Sequence, residues 1–246
     1  MLAYAIPLAL SLIWFLVSSL LGPSLLRLLP KRLHPRFKVM LWLGGLYSML
    51  VSVLTAIASA TILIFGGWFG LKLVSAGIRN LWYVLLVSLL PWALLALTAA
   101  ALAAVLTRLE PARIAARQTS QLLAHTSHAL TEFHGIPVRV LELSILAATL
   151  VDTDRRPSIL ITRGALDSLS ADELEAVYWH EFGHAVAEHN GLNRIARVSA
   201  ALVPWLPLTR QLPGAVLSLC EAWADRVALQ RVSAASLATA RSKFTF

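Results

Sequence analysis

At 246 residues the chain is 58% hydrophobic with a mean hydropathy of +0.72. That is too apolar for an ordinary water-soluble domain, in which roughly half the residues are apolar. The net charge of +8 lies wholly in residues 1–109, which hold eight Lys or Arg and no acid, while the thirteen acids and the other thirteen basic residues follow. This basic excess lacks the clustered cations and interleaved aromatics of a nucleic-acid surface, and the single cysteine, Cys220, excludes an intrachain disulfide.

Three apolar stretches open the chain: 2–21, 39–65 and 81–106. Each meets or exceeds the roughly 20 residues needed to cross a bilayer core. The first has no basic segment before it and no small-x-small site after it, so the expectation is a retained span and not a cleaved signal peptide. Pro91 in the third is tolerable in a membrane helix, where neighbours can satisfy freed backbone groups.

Loop charge gives an orientation. Arg27, Lys31, Arg32, Arg36 and Lys38 lie between the first two stretches, whereas only Lys72 and Arg79 lie between the second and third. The positive-inside rule then puts the N-terminus outside, and the third span returns the chain to the cytoplasm, where Arg108, Arg113 and Arg117 follow. The expectation is a multi-pass cell-membrane protein, with 1–109 as the membrane region and 110–246 as a cytoplasmic domain. The lipid bilayer is its first partner.

In the polar part, Arg113–Phe133 reads as a helix ended by His134-Gly135, with Pro137 beyond. Val138–Leu143 and Ser158–Thr162 read as strands, with a polar turn at residues 152–157 before the second. A small antiparallel sheet is the simplest arrangement. Ser170 with Glu173 forms a capping box, and Leu169 with Leu174 a hydrophobic staple, so a helix starts at 171. The stop signal for that helix falls at His189-Asn190-Gly191.

Inside this helix stands His180-Glu181-Phe182-Gly183-His184. Histidines four residues apart share a helix face, so both imidazoles can reach one tetrahedral Zn²⁺, with Glu181 beside them to handle a water on the metal. A catalytic zinc commonly takes three protein ligands plus water. His189 is the nearest third candidate, but nine residues beyond His180 it lies about 180° around a continuous helix. It reads as a helix-end residue interacting with the last carbonyls. A third histidine six residues after the second is also missing, because Asn190 holds that place. The better candidate is Glu221, in Glu221-Ala222-Trp223-Ala224-Asp225, where a helix puts Glu221 and Asp225 one turn apart. Glu221 can then ligate zinc while Asp225 accepts from the outer nitrogen of a ligand histidine.

These two motifs resemble the membrane-bound gluzincin zinc metallopeptidases, among them the HtpX-like quality-control proteases, the CAAX prenyl proteases and the BlaR/MecR-type transducers. The "apolar strand, Thr, Gly, Leu, then helix" approach before the first motif is similar too. The resemblance covers about 110 residues. It implies a mainly α protein with three transmembrane helices followed by an α+β zincin-like domain with a small antiparallel sheet. It also implies His180, His184 and Glu221 as zinc ligands, Glu181 as general base, and a protein or peptide substrate. The motif wording is that of the HtpX/CAAX branch, and the three leading spans are like the BlaR/MecR branch. Between the motifs, Val198–Leu208 is about half a crossing, and Pro204, Pro207, Arg210 and Pro213 break its continuation, so 198–219 reads as a re-entrant or interfacial segment.

The oxyanion of peptide hydrolysis needs a donor, with His125, His128, His134, Tyr178 and Arg194 as candidates. An extended substrate could pair with an exposed sheet edge, expected at Ser158–Thr162. The alternative from another class is a non-proteolytic membrane sensor or scaffold with a structural zinc. Such sites are usually four-liganded and thiolate-rich, which Cys220 alone does not supply.

Overall fold

The computed structural model describes residues 2–30, 32–71, 127–153 and 156–244, with single positions between 96 and 126. Helix α1 (Leu2–Leu16) passes through a π-helical turn at Val17–Leu21 into α2 (Gly22–Arg27), and α3 runs from Pro35 to Leu71. Two stretches, Ile6–Arg27 and Pro35–Ile62, are long and apolar enough to cross a membrane. Large side chains such as Leu10, Trp14, Leu50 and Leu54 stand exposed along them, as a lipid-facing surface requires. The third expected span, 81–106, lies outside the described stretches.

The chain divides into two compact units. One takes Met1–Lys31, Met40–Arg108 and Val198–Leu212; the other takes Arg32–Val39, Leu109–Arg197 and Pro213–Phe246.

The second unit is built on a four-stranded sheet. Its strands are β1 (Ser127–Phe133), β2 (Ile136–Leu141), β3 (Ala148–Thr153) and β4 (Arg156–Thr162), in spatial order β1-β2-β4-β3. The sheet is mixed, which corrects the antiparallel expectation: β1–β2 and β3–β4 are antiparallel, but β2 and β4 run parallel. Hydrophobic alternation sets which face of a strand is buried and leaves its neighbours undetermined. Here the loop at 142–147 skips one strand position, and β4 fills the gap. Thr162 holds that loop: its hydroxyl donates to the Ile145 carbonyl at 2.6 Å and accepts from the Ala147 N–H at 3.0 Å.

Central placement explains the composition of β4, in which Ser158–Thr162 are all buried, as an inner strand covered on both faces must be. Ser158–Thr162 is therefore no sheet edge; β1 and β3 end the strand order.

Residues 127–133 are also not helical, contrary to the helix expected to Phe133. Phe133 pairs with Ile136 across His134-Gly135, and both turn residues have positive φ, 49° and 82°. A two-residue hairpin of this kind needs left-handed backbone at both positions, which is why glycine follows the histidine. The pair that resembled a helix stop is a hairpin turn.

One sheet face, carrying Ile136, Val138, Val140, Leu150, Ile159 and Ile161, packs with Leu169 and Val177 into the core of this unit. Helix α4 (Arg163–Ser168) leads to α5 (Ala171–Val186), whose start is the expected capping box. Ser170 N–H donates to the Glu173 carboxylate at 2.7 Å, and the Ser170 hydroxyl accepts from Glu173 N–H. Then come α6 (His189–Leu202), α7 (Pro207–Ala228) and α8 (Ala234–Lys243), the last capped by Ser233. Pro207 starts α7 and Pro213 sits within it, so between the two motifs the helices are interrupted at residues 187–188 and again at residues 203–206. The buried Thr209 hydroxyl closes the second interruption by bonding the carbonyls of Val203 and Leu206.

Candidate metal centre

Gly183 sets the distance between the two motif helices. A Cβ built there would lie 2.9 Å from Ala224 Cα and 3.2 Å from Val227 Cβ. The absence of a side chain lets α5 and α7 approach backbone to backbone, and the faces beside this contact carry the chemistry.

His180 and His184 project from α5 and Glu221 from α7. Their donor atoms converge: Nε2 to Nε2 is 3.1 Å, and each Nε2 lies 3.4 Å from a Glu221 carboxylate oxygen. Two imidazole lone pairs and a carboxylate held this close require a proton or a cation among them. Donors arranged tetrahedrally around zinc at about 2.0–2.1 Å stand about 3.3 Å apart, so the three residues fit a Zn²⁺ ion in both chemistry and spacing. Among the described residues they are the one cluster able to hold a metal. Cys220, fully buried and with its thiol pushed up to about 12 by burial, is not among them.

Neighbouring groups fix the rings from behind. Asp225, one turn beyond Glu221, places Oδ1 2.9 Å from His180 Nδ1, close without being well aligned as a hydrogen bond. Its other oxygen pairs with Arg241 of α8. Burial alone would lower His180, but the carboxylates of Asp225 and Glu221 outweigh it and push it up to about 9. Glu221 is held below the usual carboxylate range by its bond to His180. In Asp225, burial acts upward and is outweighed by His180 and Arg241, so its carboxyl is also held low.

Glu181 is 8% exposed and lines the same cavity of about 250 Å³ as the three converging residues. Burial pushes its carboxyl up to about 7; the charge of His180 and, less strongly, the Leu150 backbone of β3 oppose this only in part. A carboxylate poised near neutrality can both take and return a proton.

His189 departs from expectation. Helix α5 ends at Val186, Glu188 takes a left-handed φ of 51°, and His189 opens a new helix. It does not interact with terminal carbonyls as a helix-end residue; it is fully buried, with Nδ1 2.8 Å from His184 Nδ1. The continuous-helix geometry fails because the helix breaks, and a glutamate in left-handed backbone gives no sequence signal for that break.

The candidate oxyanion donors do not gather here. His134 and Tyr178 join an aromatic cluster around Phe133, Arg194 and His128 are exposed, and His125 lies outside the described residues. Polar donors that do line the cavity include Asn190, Asn193 and Arg241. Arg241 lies sixteen residues beyond Asp225, on a helix that only tertiary packing returns to the site.

No curated protein matches the chain. Residues 153–242, a segment holding both motifs, match the sequence model of Peptidase family M48, so over this segment the chain is similar to the zinc metallopeptidases of HtpX and BlaR type.

Proposed function

We propose that the chain is an integral-membrane zinc metalloendopeptidase in which His180, His184 and Glu221 ligate the metal, Glu181 is the general base, and Asp225 orients His180. The observation that carries this reading is the convergence of three donor atoms at tetrahedral-edge spacing, beside a buried carboxylate raised to about 7.

Zinc, when bound, supplies Lewis acidity toward the scissile carbonyl and makes water acidic enough to attack near neutral pH. Glu181 accepts the proton from the attacking water. It then delivers that proton to the amine nitrogen as the C–N bond breaks and the new C–O bond remains with the acyl product. Asp225, whose Oδ1 lies 2.9 Å from the outer nitrogen of His180, would accept from it when the ring turns to a bound metal and so keep that ring's Nε2 lone pair directed inward. Asn190, Asn193 and Arg241 supply donors available to a developing oxyanion. Strand β3 borders the cavity through Ala148, Thr149 and Leu150, and as the last strand in the order it offers an extended peptide a place to add.

The protein or peptide substrate is therefore met at a membrane. Two helices of spanning length and the basic loop around residues 27–38 support a multi-pass cell-membrane location. The orientation puts the N-terminus outside and residues 110–246, the peptidase domain, in the cytoplasm. Either quality control of membrane proteins or signal-triggered cleavage of a regulator fits such a site.

The test is zinc content and hydrolysis of casein by the full chain in detergent. Glu181→Gln should keep zinc and lose hydrolysis by at least 100-fold, consistent with a general acid–base contribution of about 10²–10⁴. Full activity in Glu181→Gln, or equal zinc content in Glu221→Ala, sinks the assignment. Zinc bound without hydrolysis in the unaltered protein favours the structural-zinc scaffold.

A further inference from the structure

His189 does not act through the first contact made by any of the roles above, yet its surroundings are those of a functional group. Its ring is fully buried. It stands edge-on to His184, with centroids 4.7 Å apart, and edge-on to Trp223, with centroids 5.0 Å apart. Its Nδ1 is 2.8 Å from His184 Nδ1, a distance at which one proton lies between the two nitrogens.

Which ring carries that proton follows from the opposite side of His184. There Nε2 faces His180 Nε2 at 3.1 Å and Glu221 at 3.4 Å. To offer a lone pair to a metal at Nε2, a neutral His184 must carry its proton on Nδ1. The partner on that side is His189 Nδ1, which must then accept. The reverse arrangement, with His189 donating, would leave the His184 proton on Nε2 and remove it as a ligand.

The backbone is arranged for this contact. On an unbroken helix, five residues separate the two rings by about 140°, and they could not meet. The left-handed turn at Glu188 ends α5 and re-aims the next side chain at His184. His189 also carries its remaining nitrogen, Nε2, into the interior without a hydrogen-bond partner among the described residues. A buried polar atom left without a partner is destabilising, because it has given up its bonds to water and gained none in return. A leucine or phenylalanine filling the same space would avoid that cost, so packing alone does not account for a histidine here.

We propose that His189 is the positioning residue of His184: it accepts the Nδ1 proton and thereby fixes both the tautomer and the ring orientation that present Nε2 to zinc. Asp225 would serve His180, and His189 would serve His184, so the two ligand rings are held by chemically different partners. This rests on the metal-site reading above.

The experiment measures zinc affinity of the full chain in detergent, by competition with a chromogenic chelator, alongside kcat and KM. His189→Leu keeps the bulk and removes the acceptor. His189→Asn places a carbonyl oxygen near the position of the imidazole Nδ1. Loss of such a partner typically weakens metal binding 10–100-fold. The expected result is a loss of this size in His189→Leu, recovery to within about fivefold of the unaltered protein in His189→Asn, and a fall in kcat at unchanged KM at saturating zinc. Unchanged affinity in His189→Leu overturns the proposal. So does a tenfold or greater loss in His189→Asn, a comparison that stands by itself if the leucine variant does not fold. If the unaltered protein binds no zinc, the metal-site reading has failed, and not the role of His189 within it.

Discussion

Gly183 and Ala224 touch through backbone: no β-carbon fits between them, because one placed on residue 183 would lie 2.9 Å from the Cα of residue 224. The neighbour is main chain, which cannot swing aside as a flexible side chain would. Gly183→Ala should therefore push α5 and α7 apart by a few tenths of an ångström. Overpacking of this sort costs about 1–3 kcal/mol. Zinc affinity should fall at least tenfold in Gly183→Ala, since His180 and His184 would recede from Glu221, and chelator competition reads the change. Wild-type affinity would show that the helices have slack.

Asp225 is shared between His180 and Arg241. Asp225→Ala should weaken zinc binding about 10–100-fold by leaving the His180 ring unheld. Arg241→Gln removes a charge but leaves that carboxylate in place, so its effect on zinc affinity should be the smaller of the two. Parallel titrations of both variants check the order, and the reverse order would mean that Arg241 has the more direct part.

Acid should loosen the junction between α5 and α8. The Lys243 ammonium donates to Glu173 at 2.6 Å and, with the Ser170 backbone N–H, holds the Glu173 carboxyl below its ordinary value of 4.5. A depressed folded-state pKa stabilises the protein fully above the unfolded value, and this contribution is lost as pH falls through the lower folded value. Glu173→Gln keeps a capping-box acceptor and removes the charge. Thermal melts taken between about pH 6 and pH 3 should show a steeper loss of Tm in the unaltered chain than in this variant. Parallel slopes would dismiss the link.

The hairpin at His134-Gly135 is remote in role from the cavity. Gly135, at a φ of 82°, should resist replacement by a β-branched residue. Gly135→Val is expected to cost about 1–2 kcal/mol of stability and to leave zinc affinity unchanged. Denaturant unfolding and chelator competition, run on the same preparation, separate the two effects.

Local patterns carried much of the site's reading. The capping box at Ser170 and Glu173 located the helix under the histidines, four-residue spacing put His180 and His184 on one face, and the same spacing paired Glu221 with Asp225. Each of those relations is contained within one helix, where geometry follows directly from the sequence. The relations that cross between elements were not legible in the same way. Arg241 reaches Asp225 only because α8 packs back toward the site, and β4 enters between β2 and β3 for reasons that strand periodicity does not encode. His189 is the instructive intermediate: its position five residues after His184 is local, but the left-handed Glu188 that makes the contact is of a residue type seldom chosen for such a turn.

The mixed sheet also sets an order of assembly. Within it, β1–β2 and β3–β4 each close by short hairpins, whereas the parallel junction joins Val138 to Ile159 across the whole β3 segment. Hairpins form in roughly 1–10 μs, and non-local pairings wait on the closure of longer loops. The junction between β2 and β4 should thus be the last part of the sheet to form. Pulsed hydrogen exchange during refolding would then protect the β1–β2 amides before those between β2 and β4. Leu150, whose backbone bonds Glu181, arrives with the second hairpin. The Glu181 carboxylate would stay open to water until that second hairpin has packed against α5.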